Sequence, residues 1–336
     1  MGVSQLRGRW QGGEAHRLVR AVLGALSSSA DQVETLVGRT EEGLLDLRGL
    51  VTPAPFVTDR RELRESHLEE LGGLTELREC VVRDADFSHA VLDGLRFYGC
   101  RFENVRFDGA HFRELRMWRS SFADCSFDRA DLSGWAIGGV ENRVRNRLER
   151  CSFVHADLRG AAGGAPHFEH CVFDHARLDR VDFDGGVFRR CVFRGRLVEV
   201  EFSRRSWAQK VNEDNDMLEV DFSDAELIYT MFHDLPLATV TWPTSETHVL
   251  FSHPSCVMEQ LRTEMWANGS PDARGIAGLI DATLRNSHPK REIGIFHIEE
   301  LGSLSTHIRE RAAELERLCS TRGTHWWRRL GRRRSS

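Results

Sequence analysis

From Ala85 to Ile137 the chain repeats every five residues, an interval that neither ordinary secondary structure accommodates. Read in fives, the stretch is ADFSH, AVLDG, LRFYG, CRFEN, VRFDG, AHFRE, LRMWR, SSFAD, CSFDR, ADLSG and WAI. An apolar centre recurs without a miss at Phe87, Leu92, Phe97, Phe102, Phe107, Phe112, Met117, Phe122, Phe127, Leu132 and Ile137. Such a spacing drifts around an α-helix and alternates sides on a flat strand. Only a backbone that turns a corner every five residues keeps all the centres inside, so the chain must wind into a solenoid.

Two residues before each centre stand mostly small groups: Ala85, Ala90, Cys100, Val105, Ala110, Ser120, Cys125 and Ala130. A narrow coil has room for one large and one small side chain per repeat, and the remaining Asp, Arg, Glu and Ser face water. This pattern resembles the pentapeptide-repeat family. The resemblance implies an all-β solenoid core, a right-handed quadrilateral pentapeptide-repeat β-helix with four repeats per turn. Residues twenty apart should then share a face. It implies no particular activity.

A second block has centres Leu148, Phe153, Leu158, Phe168, Phe173, Leu178, Phe183, Phe188 and Phe193, followed by Leu197, Phe202 and Trp207, then Met217 to Trp242. Phe87, Phe107, Phe127, Phe153, Phe173 and Phe193 are expected as structural core. The eleven residues from Ile137 to Leu148 read as two repeats with one residue inserted, and Gly138–Arg147 as a protruding loop. A missing centre in RGAAGGAP suggests a bulge near 159–166, and 208–216 is polar and loop-like.

These breaks divide the chain into an N-terminal helical or irregular cap (1–74), the β-helix (75–242), a helical C-terminal region (243–322) and a basic tail (323–336). The α-helical N- and C-terminal capping regions cover coil ends that would otherwise expose apolar interior and unpaired strands. Within them, Glu14–Leu26 carries helical spacing and stops at SSSAD, LLDLRGL at 44–50 looks like an early repeat, and Arg60–Leu71 reads as a short helix. Pro254 opens a helix bearing Val257, Leu261 and Met265; Ser270 and Pro271 start a second; Leu304, Ile308, Leu315 and Leu318 mark a third.

Six of the eight cysteines, Cys80, Cys100, Cys125, Cys151, Cys171 and Cys191, fall in the small inward slot and read as compact apolar filler, free and unreactive. The absence of an apolar leader or a long apolar run points to the cytoplasm and to no membrane contact.

Candidate binding positions come from the same arithmetic. Arg96 and Arg116 should stack, as should Tyr98 and Trp118, giving a cationic and aromatic stripe; the loop adds Arg143, Arg145 and Arg147. Nine acids, among them Asp214, Asp216, Asp221 and Asp224, face one lysine between Lys210 and Leu250, a local net of −8, whereas Val81–Trp207 holds twenty-one arginines and nineteen acids, or +2. His155 and His175 fall one turn apart, but no recognised ligand set is completed, and His253 beside Cys256 makes a poor nucleophile pair. No catalytic, cofactor or metal site is expected. The leading expectation is a non-catalytic protein-binding scaffold, with no direct nucleic-acid binding. Some members of the family resemble duplex DNA and bind DNA gyrase or topoisomerase IV, protecting it from quinolones or natural-product poisons, and this is the alternative; its anionic face is poorly supplied here. An enzyme activity in the C-terminal region is the second alternative.

Overall fold

In the computed structural model, which describes residues 2–28, 30–52, 76–206, 213–244, 246–285 and 293–321, the repeats close into a coil of four short faces per turn. The first face stacks eight parallel strands, beginning Glu76–Arg78, Arg96–Tyr98, Arg116–Trp118 and Ala136–Gly139 and ending at Met231–His233. The second runs through Val82, Phe102, Phe122, Leu148, Phe168 and Phe188. Bridges from Arg106 through Ser126 and Ser152 to Val172 make the third, and bridges from Val51 through Val91, His111, Asp131 and Asp157 to Arg177 the fourth.

What bends the chain is the second residue after each centre. Asp84, His89, Asn104, Glu114, Arg119, Asp124 and Arg129 all hold φ between 48° and 61°, the left-handed region, and Gly94, Gly99 and Gly109 occupy the same place elsewhere. A side chain there costs about 1–2 kcal/mol. The corner amides offset part of that cost by entering the ladder: His89 N donates to Asp108 O at 2.8 Å and Arg129 N to Val154 O at 2.8 Å.

Inside, the centres pile into columns. Phe107 stacks on Phe127 with ring centroids 5.0 Å apart, Phe127 on Phe153 at 5.1 Å, Phe153 on Phe173 at 4.8 Å and Phe173 on Phe193 at 4.7 Å. Phe87 begins this column at 5.3 Å from Phe107. Cys125, Cys151, Cys171 and Cys191 form an adjacent buried ladder of free thiols, with Cys80 and Cys100 on another face. Burial pushes the Cys151 and Cys171 thiols well above their ordinary range, which suppresses thiolate chemistry.

The structure corrects four readings. Leu148 pairs directly with Phe122, twenty-six residues back, so the break after Ile137 inserts six residues between consecutive centres rather than one residue among two repeats. The missing centre near 159–166 is no bulge: Ala162–Gly164 is a regular strand, with Ala162 in register with both Ala136 and Asp182. The C-terminal region contains two antiparallel strands, His248–Ser252 and Ile293–His297, which helical spacing gave no sign of. In its last helix the buried stripe is Ile308, Ala312, Leu315 and Cys319, leaving Leu318 43% exposed. The readings of Arg60–Leu71, Trp207 and the basic tail lie outside the described residues.

Three helices, α1 (Val3–Gly8), α2 (Gly13–Leu26) and α3 (Ala30–Val37), close the start of the coil. Buried Trp10 donates its indole N–H to Arg48 O at 2.9 Å, and Leu45–Asp46 pairs in parallel with Ala85–Asp86, making 44–50 the early repeat its sequence resembles. At the other end α4 (Pro254–Asn268), α5 (Pro271–Arg285), α6 (Ile298–Leu301) and α7 (Ser305–Thr321) enclose a separate apolar core with the two strands. Gly269, at φ 71°, ends α4, and Ser270 Oγ accepts from Ala273 N at 3.2 Å at the start of α5. Among the described residues no helix is long and apolar enough to cross a membrane.

Candidate protein-binding surface

Two insertions leave the coil at one corner, between the first and second faces. The earlier one follows Ala136–Gly139 and rejoins at Arg147–Glu149; the later one follows Glu201–Ser203 and rejoins near Met217. Each is closed by a buried asparagine two residues before the next centre. Asn146 accepts from Ser120 N at 2.9 Å and donates to Met117 O and Ile137 O, while Asn215 accepts from Phe188 N and Met217 N. An amide serves there because the departing chain leaves both ladder donors and ladder acceptors unpaired, and Asn supplies both kinds of partner.

Arg145 does not protrude. It is 6% exposed and runs along the coil, donating to Ala165 O at 2.9 Å, to Gly185 O at 2.7 Å and to Glu213 O in the later insertion. Its guanidinium is held below its usual range chiefly by burial, against the pull of Glu213. It is therefore a strut between the two insertions, not a binding arginine, because only a long planar donor reaches three carbonyls on separate layers. Arg143 is exposed at the tip beside Val144, itself 47% exposed. Arg147 stands on the second face, 3.4 Å from His167 Nδ1, and His167 lies 3.3 Å from Glu213. Burial, reinforced by Arg147, lowers the His167 pKa.

Three of the four acidic positions are engaged by arginines, from the preceding layer or from the start of the later insertion. Asp214 lies 3.3 Å from Arg204 and 3.2 Å from Arg205, Asp216 is 2.9 Å from Arg189, and Glu213 is 2.8 Å from Arg189. Asp221 accepts from Ser223 N at 2.8 Å, and only Asp224, 71% exposed and 3.7 Å from Arg194, is loosely held. The local excess of acid thus meets arginine brought across from the earlier turns, a compensation that counting along the chain misses.

On the first face Arg96 is in register with Arg116, and Tyr98 with Trp118, whose rings stack at 4.5 Å and 8°. Arg78 extends the stack, its guanidinium 4.3 Å from the Tyr98 ring. Elsewhere His155 and His175 do lie one layer apart, with ring centroids at 5.6 Å, and among the described residues no group of three or more potential metal ligands forms. Cys256 is bonded to Cys319, which joins α4 to α7 and removes the thiol a nucleophile would need. Nothing in the spacing of these two cysteines signals the pairing.

Residues 77–121 match the family described as pentapeptide repeats (9 copies). No curated protein matches the chain. Among solved structures it is similar to full-length QnrB1, a plasmid-mediated fluoroquinolone resistance protein, with 15% identity over 56% of this chain and 91% of that one, at a TM-score of 0.22. It is also similar to HetL, a pentapeptide repeat protein involved in heterocyst differentiation regulation from the cyanobacterium Nostoc sp. strain PCC 7120, with 17% identity over 51% and 86% of the chains and a TM-score of 0.17. Rfr23 from the cyanobacterium Cyanothece 51142 shows 11% identity over 53% and 98%, with a TM-score of 0.14.

Proposed function

The chain belongs to the pentapeptide-repeat family, and from that premise we propose that it is a non-catalytic scaffold binding a protein partner along one edge of its coil. The observation that carries this reading is the strut of Arg145, which ties two insertions on one corner into a single braced edge. A rigid edge loses little conformational entropy on binding, and exposed Arg143, of a residue type enriched where interfaces are anchored, stands beside exposed Val144. The pairing of Asp214, Asp216 and Glu213 with arginine weighs against a DNA-like anionic surface for gyrase or topoisomerase.

Pull-down from the native host with immobilised protein tests the reading. A partner recovered by the wild type and lost with Arg143→Glu combined with Val144→Asp is the expected result; equal recovery by both rejects this edge. A parallel supercoiling assay adds a second outcome, since protection of gyrase from a poison at micromolar protein transfers the function to topoisomerase binding.

A further inference from the structure

The stripe on the first face has a geometry that selects among partners. Arg78 covers one side of the Tyr98 ring and Trp118 the other. Gly139, the register partner of Trp118, stands one layer on, where an added Cβ would come within 2.7 Å of the indole Cδ1 and Nε1. Both flat sides of the Tyr98 ring are therefore occupied, while the edges of the two rings carry the phenol hydroxyl and the indole N–H.

A row of side chains runs beside the stack in register: Glu76, Arg96, Arg116 and Ala136. Glu76 is shared, 2.7 Å from Arg78 and 3.5 Å from Arg96. Arg116, exposed, makes no ion pair among the described residues, and the next layer places Ala136 where a counter-ion would stand. Arg119 engages two further acids, Glu79 at 2.9 Å and Glu141 at 2.7 Å. Exposed Arg143 at the insertion tip likewise has no ion-pair partner among the described residues. The strip thus offers hydrogen-bond donors and two arginines, Arg116 and Arg143, without an ion-pair partner among the described residues.

We infer that this strip docks an extended acidic segment of a protein partner. Carboxylates on such a segment accept from Arg116, from Arg143 and from the ring-edge donors, and charge-assisted bonds of this kind are the strong ones. A single-stranded nucleic acid, the other anionic chain, binds sequence-tolerant surfaces by stacking bases on open aromatic faces, and both faces of Tyr98 are taken here by Arg78 and Trp118. The inference rests on the scaffold reading and names the class of partner.

Fluorescence anisotropy with a labelled oligoglutamate peptide tests it on the full chain. Saturable, salt-sensitive binding is expected, weakened about tenfold or more by Arg116→Glu and less by Trp118→Phe, which keeps a ring in the stack but removes the indole donor. Unchanged melting of both variants certifies their fold. Absent binding, equal binding to wild type and Arg116→Glu, or displacement by oligothymidylate at equal concentration each overturns the inference, the last in favour of nucleic acid. Running the pull-down with Arg116→Glu separates the two claims: a partner retained there but lost with the insertion-tip variant leaves the scaffold standing without the acidic strip.

Discussion

The left-handed corner residue is what makes a five-residue period possible, and it carries most of the local strain in the fold. Arg129 holds φ 58° and its side chain makes no hydrogen bond or ion pair among the described residues, so Arg129→Gly removes strain without removing a polar contact. We expect stabilisation by about 1 kcal/mol, diminished by the greater freedom glycine has when unfolded, read as a raised urea midpoint. An unchanged or lowered midpoint would mean that the ladder, not the residue, fixes the corner. The signal was present in the sequence, since Gly94, Gly99 and Gly109 each follow a centre by two residues, a place that asks for positive φ. Asn146 and Asn215 could not be read in the same way. Polarity marked both as loop, whereas burial of their amides depends on which ladder groups the departing chain abandons.

At the scale of elements, periodicity located the coil, its columns and the helix starts at Pro254 and Pro271, because each rests on local spacing. It failed where a long connection decided the outcome: the six-residue insertion, the strands His248–Ser252 and Ile293–His297, and the bond between Cys256 and Cys319. Of the candidate surface, the stacked pairs Arg96–Arg116 and Tyr98–Trp118 were legible and Arg145 was not, since a loop arginine is normally solvated. Arg145→Met leaves the carbonyls of Ala165, Gly185 and Glu213 without this donor, and a loss of about 2 kcal/mol or more is expected. Chemical unfolding measures it, and Arg145→Lys should recover only part, because one ammonium cannot span three layers. A variant as stable as the wild type refutes the strut.

At the scale of the molecule, two apolar cores meet where the last full turn abuts the C-terminal region. Leu227 N donates to His248 Nε2 at 3.0 Å and Tyr229 N to the Glu300 carboxylate, so two side chains stand where a further strand would. Burial, with His297 and Arg309 nearby, lowers His248 from 6.5 to about 4. Its contribution to stability is therefore complete above 6.5 and fades as pH falls from 6.5 toward 4. Burial raises Glu300 from 4.5 to about 7, so its contribution is complete below 4.5 and fades as pH rises through 7. Glu300→Gln keeps an oxygen for Tyr229 N and cannot ionise. Its melting temperature should exceed that of the wild type by a few degrees at about pH 8 and not at about pH 4.5, and equal gains at both values would exclude ionisation of Glu300 as the cause.

The same two acceptors determine how the solenoid finishes. An imidazole and a carboxyl group cannot hand the pattern on, for neither offers the alternating donors and acceptors that a following strand would read. At this edge of the last turn growth is thus terminated by chemistry and not merely by exhaustion of repeats, since the amides of Leu227 and Tyr229 are already taken.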